Sequence, residues 1–251
     1  MDRALYVAMS GAQANLRAQA AVSHNLANAS TTGFKALLHA TEAFPVKGAE
    51  IPSRTYTMGD IGGFDARVGS LQSTGNPLDF ALNGADLWMN VADRAGEPAY
   101  TRATDLRLDA TGRLMNGRGD PVLDDGGQPI AIPPFQSLSI GSDGSVAIVP
   151  FGEAGGVTQE VARIGVVRAD PTQLTRGEDG LFRPTNREPD AQPAPASGDV
   201  LMSGVLEGSN VNATEQLVQM ISLSRAFEMN MRVIRSADEN ARASATLLRA
   251  R

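Results

Sequence analysis

The sequence predicts an α+β fold in which an N-terminal and a C-terminal helix form a discontinuous, coiled-coil-like domain and a central antiparallel all-β domain lies between them in the chain. Three observations carry this prediction. Near both ends, apolar residues recur at alternating steps of four and three, the spacing that keeps one helix face turned toward a partner helix. The intervening stretch of about 180 residues is cut into short β-type runs by Asn-Gly and Asp-Gly pairs, which supply the positive φ angles of tight hairpins. Neither terminal helix can hide its stripe alone, so the ends are expected to pack together and on copies of themselves.

The first segment, residues 1–35, reads as a helix from Arg3 to Asn28, rich in Ala, Leu and Gln and free of Pro. Its one glycine, Gly11, costs the helix only about 1 kcal/mol. Leu5, Met9, Ala12, Leu16, Gln19, Ser23 and Leu26 form its stripe. The helix is expected to stop in Asn28-Ala29-Ser30-Thr31-Thr32-Gly33, where hydroxyl side chains compete for the backbone and Gly33 takes the left-handed conformation of a helix end. Residues 36–75 carry Pro45, Pro52 and the Gly62-Gly63 pair with no sustained period, which predicts an extended connector with one or two short strands.

Residues 76–203 form the predicted β domain. Leu78–Leu82, Leu87–Val91, Val146–Val149 and Ile164–Val167 are among its short runs, and Asn83-Gly84, Asp124–Gly127 and Asp143-Gly144 are among its turns. The tract Glu188–Asp199, with Pro189, Pro193 and Pro195 among small residues, is expected to be a mobile loop. Residues 204–251 are assigned to the C-terminal helix, with Asn212 and Glu215 as a capping-box-like start. Its stripe runs through Leu217, Met220, Ser224, Phe227, Met231, Ile234, Asp238, Ala241, Ala245 and Leu248. Polar residues in the two stripes, Gln19, Ser23, Ser224 and Asp238, have two readings: either those turns are exposed, or they fix register among packed helices.

Composition narrows the function. A chain of 251 residues with 42% hydrophobic content builds a real core. It carries 22 Lys plus Arg against 28 Asp plus Glu, with no basic block to follow a phosphate backbone, so nucleic acid is not an expected partner. The absence of cysteine removes disulfides, thiolate metal sites and thiol nucleophiles. Asp2, Gln13, Asn15 and Arg17 break the pattern of a cleaved signal peptide, and no run reaches the ~18 apolar residues of a transmembrane segment.

Nothing in the chain has the spacing of an active site. The two histidines, His24 and His39, have no partners at nucleophile or metal spacing, so no catalytic, cofactor-binding or metal-binding residue is assigned and no cofactor is expected. Asp124-Asp125 and Asp143 precede glycines and read as turn residues. Gly117-Arg118-Gly119 lacks the third glycine of a dinucleotide fingerprint, and Arg118-Gly119-Asp120 suits a hairpin turn. Trp88, the only tryptophan, reads as a core residue with its indole N–H satisfied. A competing reading places a carbohydrate or peptidoglycan-binding pocket around Trp88 and Tyr100.

The run Asn25-Leu26-Ala27-Asn28-Ala29-Ser30-Thr31-Thr32-Gly33-Phe34-Lys35 resembles the N-terminal signature of bacterial flagellar rod and hook proteins. Ser209-Asn210-Val211 with Arg225-Ala226-Phe227-Glu228 resembles their C-terminal one, and Tyr100-Thr101-Arg102 extends the similarity through the β region. The opening Met1–Tyr6 and the chain length are most similar to the proximal-rod branch, with a distal-rod paralogue as the near alternative. The resemblance implies a structural, non-enzymatic subunit of the flagellar basal body, exported by the flagellar type III apparatus. Its terminal helices would form a hollow axial shaft that transmits torque across the periplasm, with copies of itself and other rod proteins as partners. The assembly positions it implies are Leu5, Met9, Leu16, Leu26, Leu217, Met220, Phe227, Met231 and Ile234, and Asn25, Asn28, Gly33, Phe34 and Asn212 would shape the helix ends. The reading Gly84-Ala85-Asp86-Leu87-Trp88 departs from the family's usual Gly-x-Gly at that turn.

Overall fold

The computed structural model of the chain describes residues 2–45, 55–151, 157–186 and 192–249. It divides into two compact units, one made of Met1–Ala29, Ala36–Phe64 and Val211–Arg251, the other of Ser30–Lys35 and Asp65–Asn210.

The first unit holds both long helices. Helix α1 spans Asp2–Ala27 and helix α2 spans Ala213–Arg249. At 1.5 Å per residue they are about 39 and 55 Å long. Asn212 caps α2, its Oδ1 accepting from the backbone N–H groups of Thr214 and Glu215 at 3.1 and 3.3 Å. The helix therefore starts at Ala213, and residues 205–207, which the sequence assigned to the C-terminal helical segment, form a strand instead. That short run Val-Leu-Glu lies ahead of the cap, and its backbone hydrogen bonds go to Leu71–Ser73.

Between the helices in the chain comes a two-stranded antiparallel ribbon, β1 (Leu37–Pro45) and β2 (Thr55–Phe64), which packs along α1. The expected connector with short strands is thus two strands of nine and ten residues. Their pairing slips register between Leu37 and His39. An extra residue there bends and twists the strand, and it also scrambles the alternation by which a strand is recognised in sequence.

In the second unit every strand pairing among the described residues is antiparallel. Its largest sheet has six strands in the order 174–176, 182–184, 98–101, 87–92, 166–168, 194–195, and a three-stranded sheet joins 159–163, 145–150 and 135–140. Phe80, Trp88, Met89, Val91, Leu114 and Val122 are sealed from solvent in its core. Asx turns close the hairpins: Asp124 Oδ1 accepts from the N–H groups of Gly126 and Gln128 at 2.8 and 2.7 Å, and Asp143 Oδ1 accepts from Ser145. Part of the Pro-rich tract is ordered, contrary to the expected mobile loop. Ala194 and Pro195 pair with Arg168 and Val167 as an edge strand, a place in a sheet where proline is tolerated; residues 187–191 lie outside the described set.

Candidate assembly surface

Within the helical unit, α1 is flanked by α2 and by the ribbon, and the face it buries is made of small residues. Ala8, Ala12, Ala14, Ala18, Ala21 and Val22 are all buried. The partner face of α2 repeats at steps of four and three through Gln216, Met220, Leu223, Phe227, Asn230, Ile234 and Ala237, of which Gln216 is buried and the rest half-buried. Small residues on one helix against larger ones on the other bring the axes close together. Gly11 lies against an α2 side chain: a Cβ there would lie 3.2 Å from Asn230 Nδ2.

The sequence-predicted residues fall into two groups. Met220, Phe227, Met231 and Ile234 are half-buried on α2, and Leu5 and Leu26 are half-buried on α1. Met9, Leu16 and Leu217 face solvent, at 50%, 49% and 49% exposure. The buried stripe of α1 is therefore rotated from the predicted one, with only Ala12 of the predicted set fully buried. Large side chains cannot enter a seam this narrow, so they are turned outward. Tyr6, Val7, Val218, Ile221, Met229 and Val233 join them as exposed apolar residues that the periodicity did not select. Of the polar stripe positions, Ser23 and Asp238 are exposed, and Asp238 pairs with Arg242 at 2.8 Å; Gln19 and Ser224 are half-buried.

The helix-end signature has a concrete geometry. Asn25 is buried and its amide serves as a strand partner for Leu37, accepting from the Leu37 N–H at 2.8 Å and donating to the Leu37 carbonyl at 3.0 Å. The same Nδ2 donates to Gln216 Oε1 at 3.4 Å, so one side chain ties α1 to both β1 and α2. Asn28 closes the helix end, donating its side-chain N–H to the His24 carbonyl at 2.8 Å.

In the β unit, Gly33, Phe34 and Lys35 form a strap over a buried ionic cluster that sequence reading missed. Glu207 Oε1 accepts from Lys35 Nζ at 2.7 Å and from the Gly69 N–H at 3.0 Å, while Oε2 accepts from Arg102 Nε and Nη2 at 2.8 and 2.6 Å. The side chains of all three charged residues are at most 1% exposed. Further donors are used as well, Arg102 Nη1 by the carbonyls of Gly84 and Leu87 and Lys35 Nζ by that of Arg67. Burial by itself would raise the Glu207 carboxyl, but Arg102 and Lys35 outweigh it and hold that carboxyl below its ordinary range. Burial, offset only in part by Glu207, pushes the Lys35 ammonium down. Gly33 is required here: its φ is +65°, and a Cβ would sit 2.1 Å from the Arg102 carbonyl oxygen. Phe34 is buried under the Arg176 guanidinium, 4.5 Å from the ring centroid. Asn210 fastens the other side of the strap, its N–H reaching the Phe34 carbonyl and its side chain the carbonyls of Asp65 and Arg67.

Trp88 offers no platform for a sugar. Trp88 is 0% exposed, donates its indole N–H to the Ala169 carbonyl at 3.3 Å and packs against Phe182, and Tyr100 is buried as well. His24 and His39 lie on the surface of the helical unit. Asn116 Oδ1 accepts from the N–H groups of Arg118 and Asp120, which makes the Arg118-Gly119-Asp120 run a hairpin turn. Among the described residues, no helix is long and apolar enough to cross a membrane.

Three family models match successive parts of the chain: Flagella basal body rod protein over residues 5–35, the Flagellar hook protein FlgE/F/G D1 domain over 81–148, and Flagellar basal body rod FlgEFG protein C-terminal over 202–247. Among curated proteins, the chain is 41% identical to the flagellar basal-body rod protein FlgF of Escherichia coli K12 and 40% identical to FlgF of Salmonella typhimurium, in each case over 96% of both chains. It is 34% identical to the flagellar basal-body rod protein FlgG of Bacillus subtilis, over 95% of this chain and 96% of that one.

Proposed function

Because the chain belongs to the family of flagellar basal-body rod proteins, with FlgF members among its relatives, we propose that its helical unit is the assembling part and that its outward apolar residues pack against neighbouring subunits. The protein is a structural subunit of the basal-body rod and not an enzyme, and it assembles with other proteins of the rod and hook family. Under this proposal α1 and α2 act as a coiled-coil-like pair whose neighbours are copies of the chain and other rod proteins. Stacked pairs line a hollow shaft, and the shaft carries motor torque across the periplasm. The subunit reaches its place through the flagellar type III export apparatus. The proximal position is favoured over the distal one by the higher identity to FlgF than to FlgG.

One observation supports the reading most. The buried face of α1 is mostly alanine, while Tyr6, Met9 and Leu16 recur at steps of three and seven residues along its exposed side, with Leu217, Val218 and Ile221 exposed on α2. A helix pair that ended its packing with itself would bury these side chains.

Leu16→Glu and Leu217→Glu test it, because both residues are exposed in the isolated chain. Each variant is expected to keep the wild-type far-ultraviolet spectrum and melting temperature, with stability changes within about 0.5 kcal/mol. Cells carrying either one are expected to lack completed rods and to be non-motile. Wild-type swimming, with the variant recovered in purified basal bodies, would rule out these residues as the assembly surface.

A further inference from the structure

Two contacts between α1 and α2, a turn or more apart, fall on a single register. Asn25 meets Gln216 and Gly11 meets Asn230, and in both pairs the residue numbers add to 241. The helices therefore run antiparallel, and Ala18, midway between Gly11 and Asn25, is level with Leu223. Positions 11, 18 and 25 are seven apart, as are 216, 223 and 230, so these three levels repeat one heptad position on each helix.

The apolar part of this seam does not distinguish one register from the next. By the same sum, Met220, Phe227 and Ile234, also seven apart on α2, are level with Ala21, Ala14 and Val7, so a slip of one heptad sets Phe227 level with Ala21 or with Val7 and leaves it an apolar partner either way. The polar levels do distinguish. A slip in one direction sets the buried Asn25 level with Leu223 and moves Asn230 from Gly11 to Ala18, whose Cβ occupies the space that Gly11 leaves open. A slip in the other direction sets Gln216 level with Ala18 and Gly11 level with Leu223. Either one strands a buried amide that is satisfied in the native pairing.

We infer that Asn25, Gln216 and Asn230, with the gap at Gly11, are the positioning residues that set the register of the terminal helix pair, and so decide which outward apolar residues of α1 and α2 are presented side by side. Asn25 holds the key position because its amide is also fixed on Leu37 of β1. The inference rests on the pairing of α1 and α2 in the chain's own fold, and its test is independent of motility.

The chain contains no cysteine, so engineered pairs report register cleanly. Ala226→Cys is combined in turn with Asn15→Cys, Val22→Cys and Ala8→Cys in the full chain, and a short bis-maleimide is added. The pair at 15 and 226 keeps the sum of 241; those at 22 and 8 report slips of one heptad either way, displacements of about 10 Å along the axis. In the otherwise native chain, crosslinking is expected at 15 alone. In a Gln216→Leu, Asn230→Leu background, which leaves the Asn25 contacts to β1 intact, crosslinks are expected to spread to 22 or 8, with the native crosslink falling at least threefold. Gln216→Glu, which keeps an acceptor for Asn25 Nδ2, is expected to restore the single native crosslink when combined with native Asn230. A purely structural role for the amides would lower the melting temperature and leave the pattern at 15 alone. That pattern in the double-leucine background overturns the inference, as does the lack of a 15 to 226 crosslink in the native chain.

Discussion

The two units of this protein solve the same problem in opposite ways. The β unit completes its own interior: Trp88, Phe80 and Leu114 are sealed, and even the charges of Lys35, Arg102 and Glu207 are paired inside it. The helical unit leaves its interior unfinished. It buries alanines in its own seam and turns Met9, Leu16 and Leu217 outward. A buried CH₂ contributes about 0.8 kcal/mol, so an alanine seam stabilises a helix pair far less than a leucine seam of equal length. The β unit thus encloses its large side chains, while the helical unit presents several of its own to solvent.

The comparison breaks most sharply at Glu207. Replacing it with Ala leaves two buried cations with no carboxylate, and the β unit is expected to lose about 3–5 kcal/mol, measured by urea denaturation followed through Trp88 fluorescence. A loss under about 1 kcal/mol would mean that the cluster is not part of what makes this unit self-sufficient. Gly33→Ala is expected to come next, at about 2 kcal/mol or more, since it adds left-handed strain to a clash with the Arg102 carbonyl. The same urea curves decide it, and an unchanged midpoint would show that the strap is not fixed.

A smaller effect is expected from pH. The folded Glu207 carboxyl lies below its unfolded value of 4.5, so its contribution is fully present above that pH and is lost as pH falls through the folded value. Burial raises Asp105 and so acts in the opposite sense, which makes the difference between wild type and Glu207→Gln the useful quantity. The variant is expected to show a shallower loss of stability on acidification below pH 4.5; parallel curves would exclude Glu207 as the source. The smallest effect belongs to the helical unit. Gly11→Ala gains about 1 kcal/mol of helix propensity but presses a methyl within 3.2 Å of Asn230, and the two nearly cancel. A melting temperature within about 2 °C of wild type is expected; a large drop would show a helix seam packed as tightly as the β core.

Local signals carried much of the fold. The terminal helices, the Asn212 cap and the Asp turns around residues 124 and 143 each depend on residues within a few positions of one another, and the structure has all of them. The rotation of α1 was not legible, because alanine gives little hydrophobic contrast and the larger residues drew the stripe onto the outer face. The β1–β2 ribbon was hidden by its register slip. Lys35 and Arg102 both lie in runs that resemble the family signature, yet their shared partner Glu207 is 172 and 105 residues away, a distance at which no spacing rule operates.

That separation has a consequence for how the chain matures. Closing a loop of this length costs only slightly more entropy than closing one half as long, so the delay is one of delivery and not of energy. Gly33 binds the Glu207 carbonyl and Lys35 binds its carboxylate, while Arg102 waits in between for the same acid. A nascent chain that has not yet released residue 207 holds two cations without their carboxylate, and a product truncated upstream never acquires the acid at all. Such chains are expected to stay open to proteases, because the last stretch before the C-terminal helix carries the acid that clasps the β unit closed.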